Sequence, residues 1–192
     1  MIYGFGLSAD ATARIRRGPV AAPTARATLR ALAAALVLVA FGFAQMRPAQ
    51  ANTLTLASAA WARGDYVRAV NILTPLALRG NANAQAFLGF MYENGFGAPQ
   101  AYDAAADLYF QAATRGNPFA QCMLGLMYDK GHGVPPSAVI AYKWLNLAAA
   151  RAAPREREYY VRIRDAVASK LDTEQLAQAQ WLAASWAPHR TR

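Results

Sequence analysis

The sequence repeats itself at an interval of 36 residues, and this period constrains the fold more than any other feature. When Gly80–Ala113 is laid over Gly116–Ala149, Gly80-Asn81 falls on Gly116-Asn117 and Ala84-Gln85 on Ala120-Gln121. Leu88-Gly89 falls on Leu124-Gly125, Met91-Tyr92 on Met127-Tyr128, and Gly95 and Gly97 on Gly131 and Gly133. Pro99 matches Pro135, Ala105 matches Ala141, and Ala112-Ala113 matches Ala148-Ala149, all without a gap. A fixed period of this size predicts stacked helical hairpins. The expected fold is all-α, a short right-handed α-solenoid. Such units generally present surfaces for binding rather than chambers for chemistry.

Each unit reads as helix, loop, helix. Ala84, Leu88, Met91 and Tyr92 recur at helical spacing, as do Ala120, Leu124, Met127 and Tyr128. Gly89 and Gly125 fall inside these helices, where glycine costs about 1 kcal/mol against alanine. A glycine in the same place twice predicts close approach of a neighbouring helix. Gly95-Phe96-Gly97 and Gly131-His132-Gly133 supply left-handed turns that stop the first helix. Pro99 and Pro135 keep the chain extended before the second helix. Ser137 is a suitable cap there; the first unit has Ala101, so its cap is weaker or comes from Gln100.

The pattern A-x-x-x-L-G-x-x-Y-x-x-G-x-G, followed by a proline and then alanines, resembles the Sel1-like repeat, a relative of the tetratricopeptide repeat. Two copies match, at 84–119 and 120–155, and 57–83 resembles a shortened opening unit turning at Gly64-Asp65-Tyr66. Pro75 lies inside its second helix and is expected to kink it. The tail, 156–186, reads as two capping helices, Glu156–Leu171 and about Thr173 to Trp186. Tyr160, Ile163, Val167 and Leu171 form one stripe, and Asp172 with Gln175 forms a capping box.

Charge is unevenly placed. Residues 1–51 carry six arginines against Asp10 alone, while the remainder holds 14 basic and 10 acidic residues. Arg26 and Arg30 precede Ala31–Ala44, an uncharged apolar run of 14 residues, and Ala49-Gln50-Ala51 follows. This order reads as a secretory signal, with cleavage after Ala51 and a mature domain at 52–192. Arg16-Arg17 is a weak twin-arginine candidate, far from the apolar run. The alternative is an uncleaved inner-membrane anchor, the one membrane contact expected. Export places the protein in the periplasm or outside the cell. The single Cys122 makes no internal disulfide there.

Chemistry is sparse in the sequence. His132 and His189, with one cysteine, form no metal-ligand set. Neither a G-x-S-x-G elbow nor a phosphate-cradling glycine loop occurs. No catalytic, cofactor or metal site is expected. Asp103 and Asp107 read as a solvated helix face. Arg155, Arg157, Arg162 and Arg164 alternate with Glu156, Glu158 and Asp165, which reads as a salt-bridged face and not a nucleic-acid patch. The four tryptophans fall on helices and read as packing.

The leading functional expectation is an exported adaptor that binds a protein or peptide. By analogy with tetratricopeptide repeats, the concave positions are Ala86, Phe90 and Glu93, then Cys122, Leu126 and Asp129. They would offer a small residue, an apolar residue and an acid at equal intervals. Burial of Phe90 and Leu126 in the core is the rival reading. The resemblance implies roles in envelope regulation or assembly. The alternative is an enzyme acting on cell-wall or β-lactam substrates, described for cysteine-rich Sel1-like proteins. Those carry paired cysteines in each repeat, and this chain has Cys122 alone.

Overall fold

Asparagine starts the repeated hairpins and glycine stops their first helices. In the computed structural model, which describes residues 48–188, eight helices follow one another and no strand occurs among the described residues. They are α1 (Pro48–Ala62), α2 (Tyr66–Leu78), α3 (Ala82–Asn94), α4 (Tyr102–Thr114), α5 (Pro118–Lys130), α6 (Ala138–Arg151), α7 (Pro154–Ala168) and α8 (Thr173–Ala184). The Asn81 and Asn117 side chains accept the Ala84 and Ala120 amides at 3.0 and 2.8 Å. Gly95 and Gly131 sit in the left-handed region, φ 70° and 71°, and close α3 and α5. Ser137 caps α6 by accepting from the Ile140 amide. Ala101 leaves α4 without a side-chain cap. Gln100 does not supply one either; its amide donates to the Glu93 carbonyl and the Tyr102 hydroxyl.

The two helices of each unit touch where side chains are missing. A Cβ at Gly89 would lie 3.0 Å from the Tyr109 ring and 3.3 Å from the Ala105 carbonyl oxygen. At Gly125 the equivalent neighbours are Leu145 Cγ at 2.7 Å and the Ala141 oxygen at 3.1 Å. Ala105 and Ala141 are fully buried in these contacts. The steric reason therefore outweighs the helix-propensity cost of glycine.

Successive units are locked by the loops. Gly97 presses on the backbone of Tyr66 and Val67, and Gly133 on that of Tyr102 and Asp103. These contact sites are themselves 36 residues apart, so each G-x-G loop packs on the start of the preceding unit's second helix. Gln85 and Gln121 do the same at the other edge. Both are buried, and their amides donate to the Ala77 and Ala113 carbonyls at 3.0 and 3.1 Å. These carbonyls lie in the last turns of α2 and α4, so a buried polar side chain satisfies a helix end.

Both ends of the stack are covered. Helices α1 and α2 form the opening hairpin, whose turn spans 63–65 where the next loop spans 95–101. Helix α2 runs on through Pro75. At the other end Tyr160 and Val167 of α7 bury against the cluster holding Cys122, Leu145 and Ala148. Asp172 and Gln175 form a complete capping box at α8. Helix α8 stops at Ala184, short of the expected Trp186. Trp186 instead sets its ring edge-on to Trp144 at 6.0 Å. Trp61 and Trp144 are buried as packing, but Trp181 is 67% exposed. Residues 1–47, with most of the expected signal segment, lie outside the described residues.

The loop contact predicts a graded response to alanine. Gly64 and Gly133 both have positive φ, 77° and 67°, but only Gly133 meets neighbouring backbone. Gly64→Ala should cost about 1 kcal/mol from backbone strain alone. Gly133→Ala should cost about 1–3 kcal/mol more, because the backbone must shift. Urea unfolding midpoints measure both; equal losses would mean that the loop does not lock the units.

Candidate interaction surface

The six expected concave positions do not form an open groove. Ala86, Phe90 and Cys122 are 1%, 3% and 1% exposed. Phe90 lies between units, with Trp61 of α1 at 5.6 Å, Phe96 at 6.0 Å and Phe119 of α5 at 6.4 Å between ring centroids. Cys122 belongs to the cluster formed with Tyr160 and Val167 of α7. The physical reason is neighbour packing. These three positions face neighbouring helices of the stack and not solvent. Leu126, Glu93 and Asp129 keep partial exposure.

Both acids already have internal partners. The Tyr109 hydroxyl donates to Glu93 Oε2 at 2.8 Å. Lys170, from the α7–α8 turn, donates to both oxygens of Asp129 at 2.6 and 2.9 Å. The two sites diverge because Tyr109 of one unit is Leu145 in the next, so Asp129 turns to the cap. Burial pushes the Glu93 carboxyl above its ordinary value, opposed by the Tyr109 hydroxyl, Lys130 and His132. Burial, with Glu93 nearby, pushes the Tyr109 phenol well up. Burial likewise raises the Cys122 thiol, reinforced by Glu93 and Glu156. The buried thiol is therefore held protonated, which disfavours it as a nucleophile.

Other candidates resolve by position. Asp103 and Asp107 are exposed, and Arg162 pairs with Glu158 at 3.0 Å between side chains 74% and 81% exposed. His132 packs its ring on Tyr102 at 4.7 Å. Among the described residues no group of His, Cys, Asp or Glu could hold a metal ion, and no helix is long and apolar enough to cross a membrane.

The outward aromatic residues lie elsewhere. Phe110 is 49% exposed on α4 and sets its ring edge-on to Trp144 at 6.2 Å. Lys143 lies over Trp144 at 4.5 Å, Trp186 continues the row, and Arg151 stacks on Trp186 at 4.6 Å. This row crosses the second helices, not the first. The sequence signal for it is that Phe110 falls on Asn146 in the other copy. An aromatic residue opposite a polar one is the signature of a surface position.

Comparison with known proteins gives the same architecture. The family model described as Sel1 repeat matches residues 82–117 and 118–152, which begin where α3 and α5 begin. No curated protein sequence matches. A protective antigen from uropathogenic Escherichia coli strains, with an SLR fold, superposes with TM-score 0.66 at 27% identity over 72% of this chain. A Sel1 repeat protein from Oxalobacter formigenes superposes with TM-score 0.55 at 24% identity over 70% of this chain. The chain spans only 29% and 54% of their respective lengths.

The Glu93–Tyr109 pair predicts a pH effect. A carboxyl raised above its unfolded value, near 4.5, favours the folded state while protonated. That stability is lost as pH rises through the folded value. Glu93→Gln keeps an acceptor for Tyr109 and removes the charge. Its melting temperature relative to the wild type should therefore rise from pH 4 to pH 7 in thermal scans. A constant difference across that range would show that Glu93 does not titrate in this way.

Proposed function

The chain is a Sel1-like repeat protein, and on that premise we propose that it is an exported, non-catalytic adaptor that binds a protein or peptide segment. Sel1 repeats generally mediate protein–protein interaction. The observation that carries the reading is exposed aromatic surface on a tightly packed scaffold. Phe110 and Trp181 are 49% and 67% exposed, while the repeated small residues are consumed in packing. Aromatic residues and arginine dominate binding energy at interfaces, and the row that starts at Phe110 ends at Arg151. Packing by nearest neighbours holds them at fixed separation.

Export rests on the basic, apolar and small-residue order of residues 26–51. The cut after Ala51 is compatible with the packed core, because the first buried side chain described is Leu54. Removal of Pro48–Ala51 shortens α1 at its start and leaves Leu54, Ala57, Ala60 and Trp61 in place. The protein then acts in the periplasm or outside the cell, in envelope regulation or assembly.

Two outcomes are expected. Intact-mass measurement of the protein recovered from its native cell should give a chain beginning at Asn52. Recovery of the full-length chain in the membrane fraction would support an anchor instead. Proximity labelling in the same cells should identify neighbours whose yield drops about tenfold with a Phe110→Ala, Trp181→Ala double variant of unchanged melting temperature. Undiminished labelling of every neighbour would overturn this surface as the contact.

A further inference from the structure

The 36-residue period also repeats a charge. Arg79, Arg115 and Arg151 stand at the C-terminal ends of α2, α4 and α6. Two of them reach back by one unit. A Cβ at Gly80 would lie 3.2 Å from Arg115 Nη2, and one at Gly116 would lie 4.0 Å from Arg151 Nε. Both glycines also have positive φ, 80° and 86°, so the turn and the arginine require the same residue. Arg115 is pinned, with Nη1 donating to Gln85 Oε1 at 3.3 Å and to the Gln111 carbonyl at 2.8 Å. Arg151 is pinned by the Trp186 ring. Arg79 is exposed.

None of the three pairs with a carboxylate among the described residues. The ion pairs present there join Arg162 to Glu158, Arg164 to Asp165 and Lys170 to Asp129. Asp65, Glu93, Asp103 and Asp129 lie at the opposite edge, where first helices end and second helices begin. Arg115 and Arg151 are thus fixed cations, and Arg79 continues the row one unit earlier as an exposed one. Arg115 reaches back across one unit to the site of Gly80, so the row repeats at the reach of an extended arginine side chain, roughly 8–11 Å. The chain itself lays a segment on it: Trp186 on Arg151, then Pro188 against the site of Gly116 at 3.6 Å.

We propose that this edge binds an extended acidic segment of a partner protein, with a carboxylate at every third residue. A polyproline II strand rises about 3.1 Å per residue and returns to the same face every three residues. Its period of about 9 Å matches the row. Arginine presents a planar fork that suits a carboxylate, and rigid placement reduces the entropy lost on binding. The inference deepens the adaptor reading by naming the chemistry of its partner, and rests on it.

The probe is a labelled peptide of Glu-Pro-Pro repeats containing three glutamates, tested by fluorescence anisotropy against the full mature chain. An isomer with the glutamates adjacent carries the same charge. Binding of the spaced peptide should be about fivefold tighter than that of the isomer, and should weaken as salt screens the charges. Arg79→Glu, at an exposed position, should abolish that preference without moving the melting temperature. A peptide with its terminal glutamate changed to lysine should bind that variant better than the original peptide does. Equal binding of the two isomers, no binding of either, or tighter binding of an oligonucleotide or anionic vesicles would overturn the proposal. If the peptide fails while labelling through Phe110 and Trp181 persists, the acidic partner is refuted and the adaptor reading stands.

Discussion

The close approach of backbone to backbone at four glycines is the constraint on which the rest of this molecule depends. Gly89 and Gly125 set the distance between helices within a unit, and Gly97 and Gly133 set it between units. Within a unit each glycine leaves room for one larger side chain, Tyr109 or Leu145, and buried alanines line the rest of the contact. Polar groups at helix ends are covered as well. Gln85 and Gln121 meet part of that demand by donating to buried carbonyls. The satisfaction is incomplete: Gln121 Oε1 has no partner, whereas Gln85 Oε1 accepts from Arg115. The difference arises because Arg151, the counterpart of Arg115, is drawn onto Trp186.

Much of this was legible in the sequence because the period exposes positions that tolerate one residue type. The glycines and the left-handed stops could be read directly, since each has a single steric meaning. Surface and core within one helix could not. Phe90 and Cys122 look like groove residues by analogy, yet residues 84–91 of α3 are buried throughout. Helical periodicity identifies one apolar stripe, but a first helix between two neighbours is covered on several sides. Gln85 and Gln121 were visible as a recurrence without a role, because their targets lie in the preceding unit. Trp181 reads as packing in the sequence because a large apolar residue on a helix is usually inside, yet it is exposed.

Placing recognition on the second helices and their C-terminal edge removes a conflict. A concave groove would have drawn on Glu93 and Asp129, which are committed to Tyr109 and Lys170. Withdrawing either acid would strand a buried hydroxyl or loosen the cap. The Arg79 side chain is exposed, and Phe110 leaves about half of its surface free beside Trp144.

The unit-to-unit contacts also give the stack a polarity. Gly97, Gly133, Gln85, Gln121, Arg115 and Arg151 all reach toward the unit synthesised earlier. Each hairpin is therefore completed by the one that follows it. As the chain emerges from a ribosome or a translocation pore, the newest hairpin is always the unfinished one. Loss of residues from the C-terminus undoes the clamp on the hairpin left behind. Loss of α1 and α2 instead leaves the clamps of the later hairpins, at Gly133, Gln121 and Arg151, intact.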